Sequence, residues 1–322
     1  MHELQSVFLY LAPDLFYSMP GAIRLHHVSK SFGNFEAVKN LSFQVDEGDI
    51  YGFLGPNGSG KSTSLRMMMG LIKPSSGEIY FGNQSLLKHR SEIMNQIGCM
   101  IEKPDFYNYL SAIDNLKLFE RYHGLKYTKK QYDALLEKVG LLGREKDKVK
   151  TFSHGMKQRL GLAQVLLHNP AIIILDEPNT GLDPQGILDL RNLMLQLNKE
   201  EGKTILFSSH ILSEVQEICD SMVVINRGEK VVEGKVSELL SEELLHVRVE
   251  AIDHNALKQA ISLSSWKEKW SSTEESLLVF SLNKKEIPAL VNFLHNHSVE
   301  VLRIDYKNPL EEYFLKITQH SS

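Results

Sequence analysis

The sequence predicts an α/β fold followed by a small α+β domain, and two features of the chain support this. Apolar strands such as "AIIILDEP" and "KTILFSSH" alternate with helices, and a tail of about eighty residues then repeats a shorter alternation of strands and helices. Strands that are apolar throughout are typical of a parallel sheet covered by helices on both faces. We therefore expect a leader at residues 1–20, a large domain at 21–240 and an accessory domain at 241–322.

The first part of the large domain is predicted to be β-structure. The stretches "AIRLHHVSKSF", "LSFQVDEGDIYGFLG" and "GEIYFGN" contain alternating β-branched and aromatic residues and are separated by glycines. From Leu110 to Asn169 the pattern changes to helices, so we expect a helical subdomain at about residues 105–170 that interrupts the α/β fold. Thr128 and Gln131 have the spacing of a capping box at the start of one of these helices.

Two further helix starts are marked by their capping residues. The stretch "TFSHGMKQRLGLAQVLL" predicts a helix that begins at Ser153, and Asp183 followed by Pro184 predicts the start of the next one. The first amide groups of a helix lack hydrogen-bond partners and are electropositive, so the helix end at Ser153 is expected to attract an anion.

The tail is predicted to contain three strands and three helices. It has no cluster of His, Cys or paired acids, so we expect it to have a structural or docking role, with Trp266 and Trp270 as packing residues. Asn308 followed by Pro309 marks the start of the last helix. The three strands are predicted at residues 246–251, 277–282 and 299–306, and the first two helices of the tail at residues 255–262 and 285–296.

The composition argues against several classes of protein. Lys and Arg number 36 against 40 Asp and Glu, a formal net charge of −4, which gives no support to a nucleic-acid-binding surface. The two cysteines, Cys99 and Cys219, are too few for a disulfide framework and fit a reducing compartment. No apolar stretch approaches the roughly 18 residues that are needed to span a bilayer.

Residues 1–20 are the one unusual segment. Their apolar part is short, follows an acid rather than a basic run, and contains Pro13 and Asp14, so it makes a poor signal peptide. Met19 is an alternative start, because the first clear strand begins just after it. We interpret the segment as a dispensable or misassigned leader, and a membrane-surface or partner-docking segment is the alternative.

The stretch "GPNGSGKST" matches the phosphate-loop pattern G-x-x-x-x-G-K-[ST], with an apolar strand before it and a helix after it. Its glycines let successive backbone amides face the phosphates of a nucleotide. Lys61 is expected to supply a positive charge to the β- and γ-phosphates, and the Ser62 hydroxyl to bind Mg²⁺. The predicted nucleotide-binding residues of this loop are Gly55, Pro56, Asn57, Gly58, Ser59, Gly60, Lys61, Ser62 and Thr63.

The stretch "IIILDEP" supplies a second half of the site. A buried apolar strand that ends in two acids is costly unless a cation lies beside them. Asp176 is placed to hold Mg²⁺ through water, and Glu177 to polarise an attacking water molecule.

With these two stretches and the helix that begins at Ser153, the chain resembles the ATP-binding-cassette (ABC) ATPases from about Ile23 to Leu240. The resemblance includes "NTGLDP" after the acidic strand and "SSH" before the next helix. It implies a mixed sheet core with antiparallel β and helical subdomains, an ATPase that uses ATP and Mg²⁺, and a head-to-tail dimer of two copies. The segment "FSHGM" then corresponds to the family signature, so that Ser153, His154, Gly155 and Met156 cap the ATP held on the other copy's phosphate loop.

Three further roles carry over by position from this resemblance. Phe32 matches the aromatic residue that stacks on adenine, with Phe35 as an alternative and plain strand packing as the other interpretation of Phe32. Asp183 matches the loop that communicates across the dimer. His210 matches the histidine that contacts the γ-phosphate, and with Glu177 it makes up the predicted catalytic pair.

Two departures from the family pattern narrow the subgroup. Glu102 stands where the family usually has Gln, and the signature has His154 and Met156 where Gly and Gln are common. Both features are similar to the ATPase subunits of bacterial exporters for bacitracin and lantibiotics, including those of antibiotic resistance and producer immunity. A carboxylate at position 102 is a hard oxygen ligand suited to Mg²⁺.

The resemblance implies the ATP-hydrolysing subunit of an exporter, bound at the cytoplasmic face of the membrane to a separate permease, with no nucleic-acid partner. The tail would then regulate closure of the dimer or stabilise it. The alternatives are an ATPase for another exporter or an importer, with lipid or drug as cargo, and a non-transport ABC protein acting on ribosomes or DNA. A phosphate-loop kinase or GTPase would leave Ser153, Asp183 and His210 without a role.

Overall fold

The computed structural model describes residues 21–102, 104–241, 245–274 and 277–319, so the predicted leader lies outside the described residues. The chain divides between Val236 and Ser237 into two compact units, called here the N-terminal and the C-terminal unit. None of the helices formed by the described residues is both long enough and apolar enough to cross a membrane.

The N-terminal unit contains most of the strands. They are β1 (Ile23–Phe32), β2 (Phe35–Val45), β3 (Ile50–Leu54), β4 (Ser76–Phe81), β5 (Gln84–Ser85), β6 (Ile97–Met100), β7 (Ile172–Leu175), β8 (Thr204–Ser209), β9 (Ser221–Asn226) and β10 (Glu229–Lys235).

The helices of this unit alternate with the later strands. They are α1 (Lys61–Met68), α2 (Leu86–Met94), α3 (Ala112–Tyr122), α4 (Lys129–Lys138), α5 (His154–Leu166), α6 (Pro184–Lys199) and α7 (Leu212–Ile218), and α8 (Val236–Leu239) crosses the division between the units.

The strands of the N-terminal unit form two sheets. One is antiparallel with the order β2-β1-β4-β5. The other has the order β10-β9-β3-β8-β7-β6, in which β9 to β6 run parallel and β10 is antiparallel to β9. Every residue of β3, β7 and β8 is buried. Because the carboxyl ends of parallel strands meet at one edge of a sheet, the segments that follow β3, β7 and β8 come together there.

One apolar core joins these layers. Leu25 and Phe43 of the antiparallel sheet pack with Leu65 of α1 and with Phe53 of β3. The opposite face of β3 is so close to α7 that a Cβ added at Gly52 would lie 2.5 Å from a Val215 methyl group. The central sheet is therefore covered on both sides at β3, as its continuous apolar sequence predicts.

The helix caps predicted from the sequence are confirmed. Thr128 and Gln131 form a full capping box at the start of α4. The side chains of Ser153 and Asp183 cap α5 and α6 by accepting hydrogen bonds from backbone amides of the first turn. Helix α2 lies in a stretch for which the sequence analysis specified no element.

The C-terminal unit forms an antiparallel sheet with the order β12-β13-β11-β14. Buried and half-buried residues alternate along β11, which lies inside this sheet. Trp266 and Trp270 pack against the apolar core, which confirms their predicted packing role. The elements are β11 (Leu245–Ala251), α9 (His254–Ser262), β12 (Trp270–Glu274), β13 (Leu277–Leu282), α10 (Ile287–Asn296), β14 (Val301–Lys307) and α11 (Pro309–Gln319).

The structure corrects the sequence prediction of this unit at several points. Strand β12 and a short 3-10 helix at Ser265–Lys269 were not predicted. The helix predicted at residues 285–296 begins as a 3-10 turn, with α10 starting only at Ile287, next to a proline in its first turn. The strand predicted from residue 299 begins at Val301. The predicted cap of the last helix is confirmed, because the Asn308 side chain accepts a hydrogen bond from the amide of residue 310.

Candidate nucleotide-binding site

The phosphate-loop segment follows β3 and has a backbone that requires glycine at specific positions. Gly58 and Gly60 have φ values of +76° and +105°, which lie in the left-handed region. A Cβ added at Gly60 would lie 2.6 Å from the carbonyl oxygen of Ala37, and one added at Gly55 would lie 2.4 Å from that of Ile225. The loop is therefore held tightly between neighbouring backbone segments. Within it, Pro56 and Ser59 are buried, Asn57 and Gly58 are exposed, and Ser62 and Thr63 are half-buried.

Lys61 is the first residue of α1, and only 4% of its side chain is exposed. Its Nζ donates hydrogen bonds to the carbonyl oxygens of Gly55 at 2.7 Å and Pro56 at 3.1 Å, and lies 3.4 Å from Oε1 of Glu177. Burial lowers the pKa of Lys61, while the negative charges of Glu177 and Asp176 act to raise it. These contacts hold a buried positive charge beside the loop that is expected to receive phosphate groups.

Asp176 and Glu177 follow β7 and are linked through one serine of β8. The Ser208 hydroxyl donates to Oδ1 of Asp176 at 2.5 Å and accepts a hydrogen bond from the Glu177 backbone amide at 2.9 Å. Ser208 is fully buried and Asp176 is 8% exposed. No role was predicted for Ser208 from the sequence. The available signal was the pair of serines that end a buried apolar strand just before His210.

Glu177 adopts a left-handed backbone conformation, with φ of +43°. This conformation is uncommon for a residue other than glycine and is typical of functional sites. The Oε2 of Glu177 lies 3.2 Å from Nδ1 of His210 and accepts a hydrogen bond from the Thr180 hydroxyl at 3.3 Å. Its other oxygen faces Lys61, so the carboxylate lies between a lysine from one segment and a histidine from another.

The three residues predicted to bind Mg²⁺ provide hard oxygen donors, which are the ligands that this ion prefers. Ser62 lies in the first turn of α1 and Asp176 at the end of β7. Glu102 follows β6 with φ of +67°, and its exposed carboxylate forms an ion pair with Arg66 of α1. The donor chemistry of Ser62 and Asp176 fits the ion, and any contribution from Glu102 has to compete with Arg66.

The two candidate adenine-stacking residues lie at the tip of the β1–β2 hairpin, where Phe32 pairs with Phe35. Phe32 is 51% exposed and Phe35 65% exposed, so neither belongs to the apolar core. The Lys30 ammonium lies 5.0 Å from the centre of the Phe32 ring. Both rings at this hairpin are accessible to a flat ligand, so Phe32 and Phe35 are both candidates for stacking on adenine.

The signature segment forms the first turn of α5. Its capping residue Ser153 accepts a hydrogen bond from the Met156 amide at 3.2 Å and is exposed, as is His154. The Nε2 of His154 lies 3.2 Å from the carbonyl oxygen of Thr180. A Cβ added at Gly155 would lie 3.5 Å from Leu182, an ordinary van der Waals contact, so the exposed part of this helix end is at Ser153 and His154.

A second contact ties α5 to the segment that follows Glu177. The Gln158 amide donates to the carbonyl oxygen of Pro178 at 2.9 Å. Further along the same segment, the exposed Asp183 caps α6 by accepting a hydrogen bond from the Gly186 amide at 2.9 Å. The signature helix and the Asp183 loop are thus both attached to the segment that carries Glu177.

Some of the predicted site residues contact one another, and others lie apart from them. Lys61, Glu177 and His210 lie together, with Asp176 and Ser208 adjoining. Phe32 and Ser153 have no polar or ring contact with the phosphate loop within the part of the chain that the structure describes. The residues predicted to contact a nucleotide therefore do not form a single network of polar and ring contacts among the described residues.

A family model, curated relatives and solved structures that match this chain agree with one another. The family model "ABC transporter" matches residues 38–180. The bacitracin transport ATP-binding protein BcrA of Bacillus licheniformis is 36% identical over 300 residues, covering 93% of this chain and 98% of its own length. The lantibiotic transport ATP-binding protein SrtF of Streptococcus pyogenes is 38% identical over 229 residues, covering 69% of this chain and 97% of its own. A dimeric ATP-binding cassette solved in a post-hydrolysis state with ADP and Pi matches with a TM-score of 0.61 and 27% identity, over 66% of this chain and 98% of the cassette.

Proposed function

The chain belongs to the ATP-binding proteins of ABC transporters and is an ATPase, and we propose that it drives export of an antimicrobial peptide or a related antibiotic through a separate membrane permease. The names of its relatives BcrA and SrtF, which refer to bacitracin and lantibiotic transport, support this class of cargo. In this proposal the chain works at the cytoplasmic face of the membrane, where the permease anchors it.

ATP binds along the loop that follows β3. The backbone amides of the loop and the N-terminus of α1 hold the phosphates, Lys61 neutralises charge on the β- and γ-phosphates, and Phe32 stacks on the adenine. A bound Mg²⁺ would offset negative charge on the phosphates, and its proposed protein ligands are Ser62, Asp176 and Glu102.

Glu177 acts as the base that polarises the attacking water, and His210 contacts the γ-phosphate beside it. The observation that carries this proposal is the position of the Glu177 carboxylate, 3.4 Å from Lys61 and 3.2 Å from His210. A carboxylate in contact with the phosphate-binding lysine lies where a water in line with the γ-phosphate needs a base. Ser208 holds Glu177 and Asp176 in this arrangement through its two hydrogen bonds.

Two copies assemble head to tail around the nucleotides. The first turn of α5, with Ser153, His154, Gly155 and Met156, presents its amide groups to the γ-phosphate of the ATP held by the second copy. Asp183 lies in the loop through which the two copies communicate. ATP binding closes the dimer, and hydrolysis opens it again and resets the permease. The exposure of Ser153 and His154 at the start of α5 supports this arrangement.

The variant Glu177→Gln tests the catalytic role. We expect it to bind ATP as the wild type does and to lose hydrolysis by about 100-fold to 10,000-fold, the range for loss of a general base. Light scattering should show an ATP-dependent dimer that persists, because hydrolysis no longer opens it. The same change at Glu137, which is exposed on α4, should leave turnover unchanged. Normal turnover in Glu177→Gln, or a protein that stays monomeric with ATP, would contradict the proposal.

The variant Ser153→Arg tests the second copy's contribution. It should leave ATP binding by the monomer unchanged and abolish both hydrolysis and ATP-dependent dimerisation, because an arginine side chain blocks the helix end. Ser111→Arg removes the equivalent cap of α3 and serves as the control for loss of capping. If Ser153→Arg weakened nucleotide binding and hydrolysis equally, Ser153 would belong to the site of its own copy.

The cargo is tested in cells that express the chain together with its permease. Deleting the chain is expected to lower resistance to bacitracin or to a lantibiotic, and the wild-type chain should restore it. Full restoration by Glu177→Gln would show that resistance does not depend on hydrolysis. Unchanged resistance to both antibiotics after deletion would exclude them as cargo and leave the ATPase assignment intact.

A further inference from the structure

Strand β14 forms one edge of the sheet in the C-terminal unit, within the part of the chain that the structure describes. It pairs with β11 on one side through Tyr306, Asp305, Ile304 and Arg303. On the other side its outward backbone groups face no strand of this sheet. Unpaired edges of this kind are templates for pairing with another chain.

Most side chains of β14 are exposed and the rest are half-buried, as expected of an edge strand. Leu302 is 61% exposed and Tyr306 46% exposed, and the side chains of Arg303 and Asp305 are 55% and 39% exposed. Along β11, by contrast, buried and half-buried residues alternate without an exposed position. Apolar and charged groups are therefore presented together along one free edge.

The sequence of this edge is self-complementary. In an antiparallel pair of identical strands related by a two-fold axis, one residue lies on the axis and its neighbours face each other across it. With Ile304 on the axis, Arg303 of each copy lies opposite Asp305 of the other, which gives two pairs of opposite charge. Leu302 then lies opposite Tyr306, where aliphatic and aromatic side chains favour contact.

The neighbouring alignments are unfavourable. An axis at Arg303 places the two copies of this arginine opposite each other. An axis at Asp305 opposes the two copies of this aspartate and also sets Arg303 against Lys307. An axis between two residues would pair outward-facing backbone groups with inward-facing ones, which the antiparallel ladder does not allow. Among axes at residues 303, 304 and 305, the axis at Ile304 is thus the one that brings opposite charges together.

The charges of this edge are only loosely engaged within their own chain. The Nε of Arg303 lies 3.5 Å from Glu250 and 3.5 Å from Asp305, and Asp305 lies 3.7 Å from Arg248. These distances exceed the usual range for hydrogen bonds between such groups, so both side chains keep capacity for another partner.

We propose that β14 pairs antiparallel with β14 of a second copy about a two-fold axis at Ile304, joining the two C-terminal sheets into one continuous sheet. The contact needs no nucleotide. It is independent of the head-to-tail dimer proposed above, which forms around ATP through Ser153. A single pair of strands buries little surface, so the association is weak and concentration-dependent.

Charge reversal tests the alignment in the full-length protein, by sedimentation velocity over a concentration series with EDTA and without nucleotide. Arg303→Asp sets acids against acids across the axis, and Asp305→Arg sets bases against bases, so each variant is expected to self-associate about tenfold more weakly than the wild type. In a mixture of the two variants every pair is again of opposite charge, so heterodimers should form with wild-type strength. Melting curves of each variant check folding, and the recovery in the mixture cannot arise from a folding defect.

Disulfide trapping tests the axis position directly, in a Cys99→Ser background because Cys99 is exposed. Ile304→Cys places two thiols opposite each other at a distance that a disulfide can bridge, so mild oxidation should give a covalent dimer. Leu302→Cys is more exposed and lies far from its own copy, so it should give little dimer. Trapping at residue 302 and not at 304, or no recovery in the charge mixture, would overturn the proposal.

A third variant examines the apolar contact. Leu302→Lys should weaken association, whereas Leu263→Lys, at a position 91% exposed and outside β14, should leave it unchanged. Equal effects of the two changes would contradict the pairing. Association through β14 is also measured on the Ser153→Arg variant, which is expected not to form the ATP-dependent dimer, so failure of the β14 contact and failure of the proposed ATPase cycle are distinguishable.

Discussion

The two ends of the parallel strands in the N-terminal unit differ in whether their acidic side chains are offset by a buried positive charge. At the carboxyl ends, the buried Lys61 lies 3.4 Å from Glu177 and next to Asp176, so positive and negative charges offset one another. At the amino ends, Asp49 and Asp220 are both acids, and burial together with the charge of Asp220 raises the pKa of Asp49 to about 6. One end holds charges that a polyphosphate ligand can use, whereas the other has a repulsion that only reduces stability.

The largest expected effect is a loss of ATP affinity when Lys61, at the carboxyl ends of the strands, is replaced. Lys61→Met should lower ATP affinity by about 100-fold, because a charge-assisted contact to two phosphates is lost at a buried position. Titration calorimetry with ATP measures this. Lys235→Met removes an exposed lysine from the end of β10, near Asp49, and should leave ATP affinity unchanged. If both variants lost affinity equally, the contrast between the two ends would not hold.

A smaller effect is expected at Ser208, which links the two acids. Ser208→Ala leaves the Asp176 oxygen and the Glu177 amide without this partner, so the free energy of unfolding should fall by about 1–3 kcal/mol. Turnover should fall as well, since Glu177 is less firmly positioned. Urea denaturation and a Mg²⁺ titration of hydrolysis measure the two effects.

Ser64→Ala is the matched control for this variant. Ser64 is also fully buried, but its hydroxyl has no hydrogen-bond partner among the described residues. Its loss should therefore cost little stability. A Ser208→Ala variant as stable and as active as Ser64→Ala would mean that the bridging hydroxyl has no role.

The smallest expected effect is a pH-dependent change in the free energy of unfolding, caused by Asp49 at the amino ends of the strands. Because the folded pKa of Asp49 is raised above its usual 3.8 to about 6, the folded state binds a proton more tightly than the unfolded state, and stability falls as pH rises from about 4 to 6. Asp49→Asn avoids this loss and should be more stable at pH 7.5 by on the order of 1 kcal/mol after allowance for solvent screening. The gain should disappear near pH 4.

Thermal or urea unfolding at several pH values measures this difference. The acid-to-amide change at Glu47, which is exposed in the neighbouring turn, should show no such pH dependence. An Asp49→Asn variant that gained the same stability at pH 4 as at pH 7.5 would show that the repulsion is not the cause.

Features that depend on nearby residues were predictable from the sequence. The caps at Ser153, Asp183 and Asn308 involve partners two or three residues away, so a short pattern is sufficient to specify them. The same holds for the phosphate loop, where the spacing of the glycines reflects the turns that the backbone has to make. The carboxyl-end placement of Asp176 and Glu177 followed from the apolar strand before them.

Features that depend on distant partners were not predictable. Ser208 lies 32 residues from Asp176 in the sequence, and only the parallel pairing of β7 with β8 brings the two together. The pairing of Glu102 with Arg66 likewise needs the packed structure. Strand β12 has the sequence "WSSTE", which lacks an alternating apolar pattern, and forms because it pairs with β13.

The ring of His154 has a mechanical consequence. A Cβ added at Gly181 would lie 2.7 Å from this ring, and its Nε2 lies 3.2 Å from the Thr180 carbonyl, so the imidazole rests directly on the backbone that follows Glu177. The ring is thus a direct contact between the first turn of α5 and the segment that follows Glu177. In the proposed head-to-tail dimer, a shift of the backbone after Glu177 would reach the tip of α5, and with it the second copy's nucleotide, through the ring of His154.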